Sequence, residues 1–241
     1  MNTLQHIEAL NERGFTFLPS LYDAAECAAM RRILDDYWMS QGSPSLAGGA
    51  FGFTIHPMMT RVPDMAPFLD RAEPIDVVAG ALCDDVRLVH LGARISGPQS
   101  VMRLPWHNHY SWDTENLAKR DRIERLLIGI YVDGTQEESG PFIALPRAFN
   151  EELGAPRDAM DEAWPGEERV EMPPGSVAIF DTALWHAAAR GTSGNARRLW
   201  GAHFQGWSDA RPHPEDNAVN APEIAAHKRA HPRLKRLIDG A

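Results

Sequence analysis

Leu126-Leu127-Ile128-Gly129-Ile130-Tyr131-Val132 is an almost continuous apolar run. It is too short for a typical buried helix and rich in β-branched residues, so it reads as a strand buried on both faces. Working outward from it, Asp133-Gly134 is a turn signal, and strand-like segments lie on either side. Those before it cover 86–95 and 102–109; those after it cover 142–145, 168–172, 176–180, 185–188 and 197–204. Pro173-Pro174-Gly175 and the glycines at 191 and 194 mark turns between them.

The chain ahead of these strands has a different period. In 3–13, Leu4, Ile7 and Leu10 fall on one helical face, Gly14 stops the helix, and Phe15-Thr16-Phe17-Leu18 reads as a short strand ended by Pro19. Asp23 can cap a helix over 24–38 with an apolar stripe of Cys27, Met30, Ile33, Leu34 and Tyr37. The stretch 40–62 is rich in Gly, Ser and Pro and reads as a loop, and 67–82 as a helix. Helices first and many short strands later predict an α+β fold, a double-stranded β-helix (jelly-roll) core with the N-terminal helices packed on one sheet. One domain of 241 residues is expected, with its core at about 10–205. The proline-bearing segment 211–241 is expected to wrap the surface, with a short helix near 222–230. The basic run 227–236 reads as a solvated helix face.

A net charge of −9 argues against general affinity for nucleic acid or an anionic membrane. It leaves a small-molecule substrate, anionic ones included, since a local arginine can bind a carboxylate. Two cysteines, Cys27 and Cys83, cannot form a disulfide framework and imply a reducing compartment. With no run of eighteen apolar residues and no apolar leader at the N-terminus, a cytoplasmic protein is expected.

Three histidines carry the chemistry. In a strand His107 and His109 project to the same face, so both imidazoles can reach one ion. His186 follows the apolar strand after Pro174-Gly175, and Arg197 lies eleven residues further on, past a Gly-Thr-Ser-Gly turn. Paired as adjacent antiparallel strands, 186 and 197 would meet on the inner face, where a guanidinium would bind a carboxylate as a bidentate fork. Arg198, next along, would serve instead if the register slipped by one.

These segments resemble the phytanoyl-CoA dioxygenase family of iron(II)- and 2-oxoglutarate-dependent oxygenases over roughly residues 10–205. Leu10 to Pro19 is similar to the family's helix–Gly–strand opening. Leu104-Pro105-Trp106-His107-Asn108-His109 resembles its PWHxD segment, and Glu138-Ser139-Gly140-Pro141-Phe142-Ile143-Ala144-Leu145-Pro146 its NGPLxxxPGSH segment. The stretch from Pro174 through His186 to Arg197 resembles its distal histidine and arginine. The resemblance implies iron(II) on His107, His109 and His186, with 2-oxoglutarate as cosubstrate, its far carboxylate on Arg197, and O2 as oxidant. It further implies hydroxylation of a substrate C–H bond with release of succinate and CO2. Arg94, Gln99 and Arg103 lie where it places pocket groups. Tyr131 either hydrogen-bonds the cosubstrate or packs, and His203 is expected to pack.

The sequence departs from the family at two places. Arg147-Ala148-Phe149 stands where the family has GSH, and His109 stands where it has Asp or Glu, completing a two-histidine, one-carboxylate site. Three readings of His109 stay open: a three-histidine site, replacement of His109 by Asp113 or water, and an altered site that admits a halide. A zinc hydrolase and a non-catalytic binding protein are the rival functions. The loop 40–62, the segment 110–122 and the tail are expected to form lid and pocket, with His56, Phe51, Phe53, Met58, Met59 and Trp112 as candidate walls.

Overall fold

The computed structural model describes residues 1–46, 52–97, 104–109, 122–148, 163–189, 191, 195–211 and 219–240. In chain order the elements are α1 (Thr3–Arg13), β1 (Phe15–Leu18), α2 (Ala24–Ser40), β2 (Phe53–Ile55), α3 (Met58–Arg61), α4 (Ala72–Leu82), β3 (Val86–Ser96) and β4 (Leu104–His107). They continue with β5 (Arg125–Tyr131), β6 (Phe142–Ala144), β7 (Glu168–Val170), β8 (Ser176–Asp181), β9 (His186–Ala188), β10 (Arg197–Gly206), α5 (Ala225–Ala230) and α6 (Pro232–Asp239).

The strands form two sheets, six-stranded in the order β1-β8-β5-β10-β3-β2 and four-stranded in the order β4-β9-β6-β7. Neighbours are antiparallel throughout. This is the jelly-roll architecture with helices. The apolar run at 126–132 is the third strand of the larger sheet, and every residue of β5 is buried. Strand alternation explains why. Leu126, Ile128 and Ile130 join the main core with Leu10, Met30 and Leu34 of the helices, whereas Leu127 and Tyr131 meet Phe142 of the facing sheet in a second cluster.

Local chemistry sets the helix ends. Asn2 with Gln5, and Asp23 with Glu26, form capping boxes on α1 and α2. Gly14 closes α1 at φ 78°, a left-handed backbone that glycine takes without strain. The expected α1 stripe is corrected at one end. Leu4 is 70% exposed and His6 is buried instead, its Nδ1 2.7 Å from Thr16 Oγ1. The single helix expected over 67–82 is split into a 3₁₀ turn, Pro63–Leu69, and α4. Pro74 has no N–H for the Asp70 carbonyl and its ring would clash there, so it is confined to the first turn of a new helix.

Two further expectations are corrected. The tail does more than wrap the surface: a 3₁₀ turn, Pro222–Ile224, precedes α5 and α6, and Ile224, Leu234 and Leu237 are buried in the main core. The hairpin expected between 186 and 197 does not form either. β9 pairs with β4 and β6, while β10 lies between β5 and β3 in the other sheet. The ten residues of β10 gain long ladders on both edges there, which the three residues of β9 could not offer. No helix among the described residues is long and apolar enough to cross a membrane.

Candidate metal centre and pocket

β4 and β9 pair with His107 opposite His186, which brings two of the three histidines together. β4 ends at His107; His109 lies just beyond, where its N–H donates to the Thr182 carbonyl at 2.7 Å. The ring centroids stand 4.1 Å (His107–His186), 5.1 Å (His107–His109) and 5.0 Å (His109–His186) apart. One nitrogen from each ring lies within 4.8 Å of the other two. His186 Nδ1 is 3.0 Å from the Leu184 carbonyl, which can only accept, so Nδ1 carries the proton and Nε2 keeps its lone pair. Phe142 stacks on the same ring at 5.8 Å.

Burial holds His109 and His186 well below the ordinary imidazole pKa, and the neighbouring His107 lowers both further. Three imidazoles converging on one point suit a divalent cation, because each can offer a lone pair and burial already favours the neutral form of His109 and His186. The donor set fits a transition metal.

The inner face of the six-stranded sheet forms the floor of the pocket, a cavity of about 250 Å³. The register arranges its side chains in rows across the strands. Ser96 and Arg197 begin the series. Next come Thr54, Arg94, Leu199 and Tyr131, then Gly92, Gly201 and Gly129, and finally His90, His203, Leu127 and Phe180. The histidine triad lies over the last row: His109 is 5.2 Å from His203 and His186 is 4.7 Å from Phe180. The row of three glycines spans three strands, on the order of 10 Å. Among the described residues a Cβ on Gly129 or Gly201 would meet nothing nearer than 3.5 and 3.6 Å, and neither has a left-handed backbone. Protein packing therefore does not require glycine at these two positions. Gly92 differs, since a Cβ there would lie 2.2 Å from His56, which covers it.

Arg197 is buried; its Nη1 donates to the Gly140 carbonyl at 2.7 Å while its Nε has no partner among the described residues. Arg94 also lines the pocket, and its Nε is buried without a partner among the described residues. Burial lowers the pKa of both, that of Arg94 to about 10, with Arg197 adding repulsion. Tyr131 is pushed up to about 12 by burial, against the pull of Arg197 and Arg94, so its phenol keeps its proton. Arg198 faces the other way, as strand alternation requires. It donates to both oxygens of Asp35, at 2.7 and 2.8 Å, and to Asp133 at 3.1 Å, which takes it out of the pocket.

Thus the structure brings His107, His109, His186, Arg197, Tyr131, Arg94 and His56 to one cavity and excludes Arg198. Gln99, Arg103, Trp112, Asp113 and Phe51 lie outside the described residues. His203 lines the pocket beside His109. Met58 and Met59 belong to the main core, and Phe53 packs against it, so these three do not wall the pocket. His90 and the glycine row went unread in the sequence; the alternation of 90, 92 and 94 on an inward face is the signal that could have found them.

A family model described as phytanoyl-CoA dioxygenase matches residues 10–199. No curated protein matches the sequence. Among solved structures the chain is similar to HygX from Streptomyces hygroscopicus with nickel and 2-oxoglutarate bound (14% identity, TM-score 0.70), covering 92% of this chain and 93% of that one. It is also similar to SnoK, a non-heme alpha ketoglutarate dependent carbocyclase from nogalamycin biosynthesis (14%, TM-score 0.69, 91% and 92% covered). EctD from S. alaskensis, solved with 2-oxoglutarate and 5-hydroxyectoine, is a third (18%, TM-score 0.67, 89% and 82% covered). At such identities these likenesses show the fold.

Proposed function

The chain belongs to the phytanoyl-CoA dioxygenase family, whose members use iron(II), 2-oxoglutarate and dioxygen, and from that premise we propose that it is a 2-oxoglutarate-dependent oxygenase that hydroxylates a small molecule through a three-histidine iron site. The observation that carries the reading is the convergence of His107, His109 and His186 at one end of a pocket that has Arg197 at the other. Iron(II) held there with 2-oxoglutarate supplies oxidation of a substrate C–H bond by dioxygen, the cosubstrate leaving as succinate and CO2.

The protein's residues position and insulate that chemistry. His186 is oriented by its Nδ1–H bond to Leu184 and His109 by its backbone bond to Thr182. Gly140 fixes one arm of Arg197, leaving the rest of the guanidinium for the far carboxylate of 2-oxoglutarate. Tyr131, protonated, can donate to the same ligand. Gly201 and Gly129 leave room for the cosubstrate between the triad and Arg197. Leu127, Phe142 and Phe180 keep water from the metal. A neutral third ligand in place of a carboxylate leaves one more positive charge on the centre and tightens its hold on an anionic chelator.

The zinc-hydrolase alternative gives no role to the buried Arg197, which faces the triad from the other end of the pocket. The test is anaerobic titration of the apoprotein with iron(II) and 2-oxoglutarate, read by the visible charge-transfer band of the chelate. A band that disappears in His186→Ala is expected. A wild-type protein that gives no band, or retains zinc in its place, refutes the proposal.

A further inference from the structure

The floor of the pocket has two lanes. One runs along β5 and β10 from His203 and Leu127, over Gly201 and Gly129, past Leu199 and Tyr131 to Arg197. The other lies one strand aside, along β3 and the edge strand β2, with His90, His56 over Gly92, Arg94 and Thr54. Thr54 and His56 are exposed, so this second lane opens to solvent.

Charge distinguishes the lanes. Among the described residues the pocket holds two guanidiniums and no carboxylate. In the reading above, iron(II) and 2-oxoglutarate cancel, 2+ against 2−, and the imidazoles are neutral, so Arg94 and Arg197 leave the loaded pocket at 2+. Arg197 faces the cosubstrate lane and is braced by Gly140. Arg94 makes no hydrogen bond or ion pair with any described residue, and its Nε is buried. An enclosed cation without a counter-charge is costly, and a bound anion is what removes the cost.

We propose that Arg94 is the receptor for a carboxylate of the substrate, which enters over the edge of β2 and lies along the second lane beside His56 and His90. The proposal rests on the oxygenase reading and adds the class of substrate: a compact organic acid. A guanidinium fork grips a carboxylate in a plane and so fixes which carbon of the acid faces the metal. Thr54, directly opposite Arg94 in the register, adds a hydroxyl beside it.

The experiment uses the full-length protein loaded with nickel(II), which does not turn over, and saturating 2-oxoglutarate. Its melting temperature is followed with acetate, and with acetamide as neutral isostere, at constant ionic strength. Acetate at tens of millimolar is expected to raise the wild-type midpoint by about 2 °C more than acetamide. Arg94→Gln should abolish that difference and Arg94→Lys should keep part of it. In both variants 2-oxoglutarate should bind within about twofold of wild type. An acetate effect absent from the wild type, or surviving in Arg94→Gln, overturns the proposal. So does a tenfold loss of 2-oxoglutarate affinity in Arg94→Gln, which would assign Arg94 to the cosubstrate. If Arg94→Gln fails to fold, Arg94→Lys decides by the same comparison. A wild type that binds no nickel and 2-oxoglutarate refutes the oxygenase reading separately, and the acetate comparison on the apoprotein still reads Arg94.

Discussion

Replacing Gly129 or Gly201 by alanine should make the protein more stable and its cosubstrate site worse. At each position the new methyl would make only ordinary contacts, at 3.5 Å from Leu127 Cδ2 and Tyr131 Cε2 in the first case and 3.6 Å from Leu127 Cδ2 in the second. With compatible backbone and no clash, a Gly→Ala change restricts the unfolded chain and stabilises by about 0.4–1 kcal/mol. For a chain of 241 residues that is about 1–4 °C in melting midpoint. The same methyl projects into the pocket, where forcing an extra carbon into filled space costs about 1–3 kcal/mol. That corresponds to 2-oxoglutarate binding weakened by about 5- to 150-fold. Melting of the apoprotein reads the first effect, and anaerobic titration of the chelate band reads the second. Gly92→Ala is the internal contrast, since its Cβ must displace His56 and should lower the midpoint. If Gly129→Ala and Gly201→Ala both bind 2-oxoglutarate as tightly as wild type, the cosubstrate does not lie over the glycine row, and the proposed floor is wrong.

Neighbouring arginines should separate cleanly. Arg197→Gln should weaken 2-oxoglutarate at least about tenfold, the worth of a charge-assisted pair. Arg198→Ala should leave that affinity unchanged while destabilising the fold by about 1–3 kcal/mol, because Asp35 loses its bidentate partner and Asp133 is left with Arg31 as its cation. The opposite pattern in denaturation and titration would reverse the assignment. His109→Ala should lose at least about tenfold in iron affinity, whereas His109→Asp, restoring an anionic ligand, should keep most of it. Full metal content in His109→Ala would remove this residue from the metal shell. Stability of the apoprotein should depend on pH through His109 and His186, whose folded pKa values lie well below 6.5. Below pH 6.5 the unfolded chain binds protons that the native state refuses, so stability is fully present above pH 6.5 and falls as pH drops. The slope is about 1.4 kcal/mol per pH unit for each histidine. Urea unfolding between pH 7.5 and 5.5 measures it, and His186→Gln should remove one histidine's share.

The sequence by itself indicated most of the strands and the side chains on which the proposed chemistry rests. Strand patterning placed β3, β5, β8 and β10 within a residue or two, because an inner and an outer core bury both faces of the central strands β5 and β8, whereas β3 alternates over most of its length. It also singled out His107, His109, His186 and Arg197, since metal-binding and carboxylate-binding side chains are few and their order along the chain is telling. Only the tertiary structure decided how these residues face one another. Sequence distance suggested that 186 and 197 are hairpin neighbours, yet β10 found longer ladders in the other sheet, so Arg197 faces the triad across a pocket. Register likewise aligned Gly92, Gly201 and Gly129, which are far apart in the chain, and set Arg94 beside an exposed edge. Pairing register depends on the sum of ladder and packing energies over whole strands, a quantity no local stretch of sequence contains.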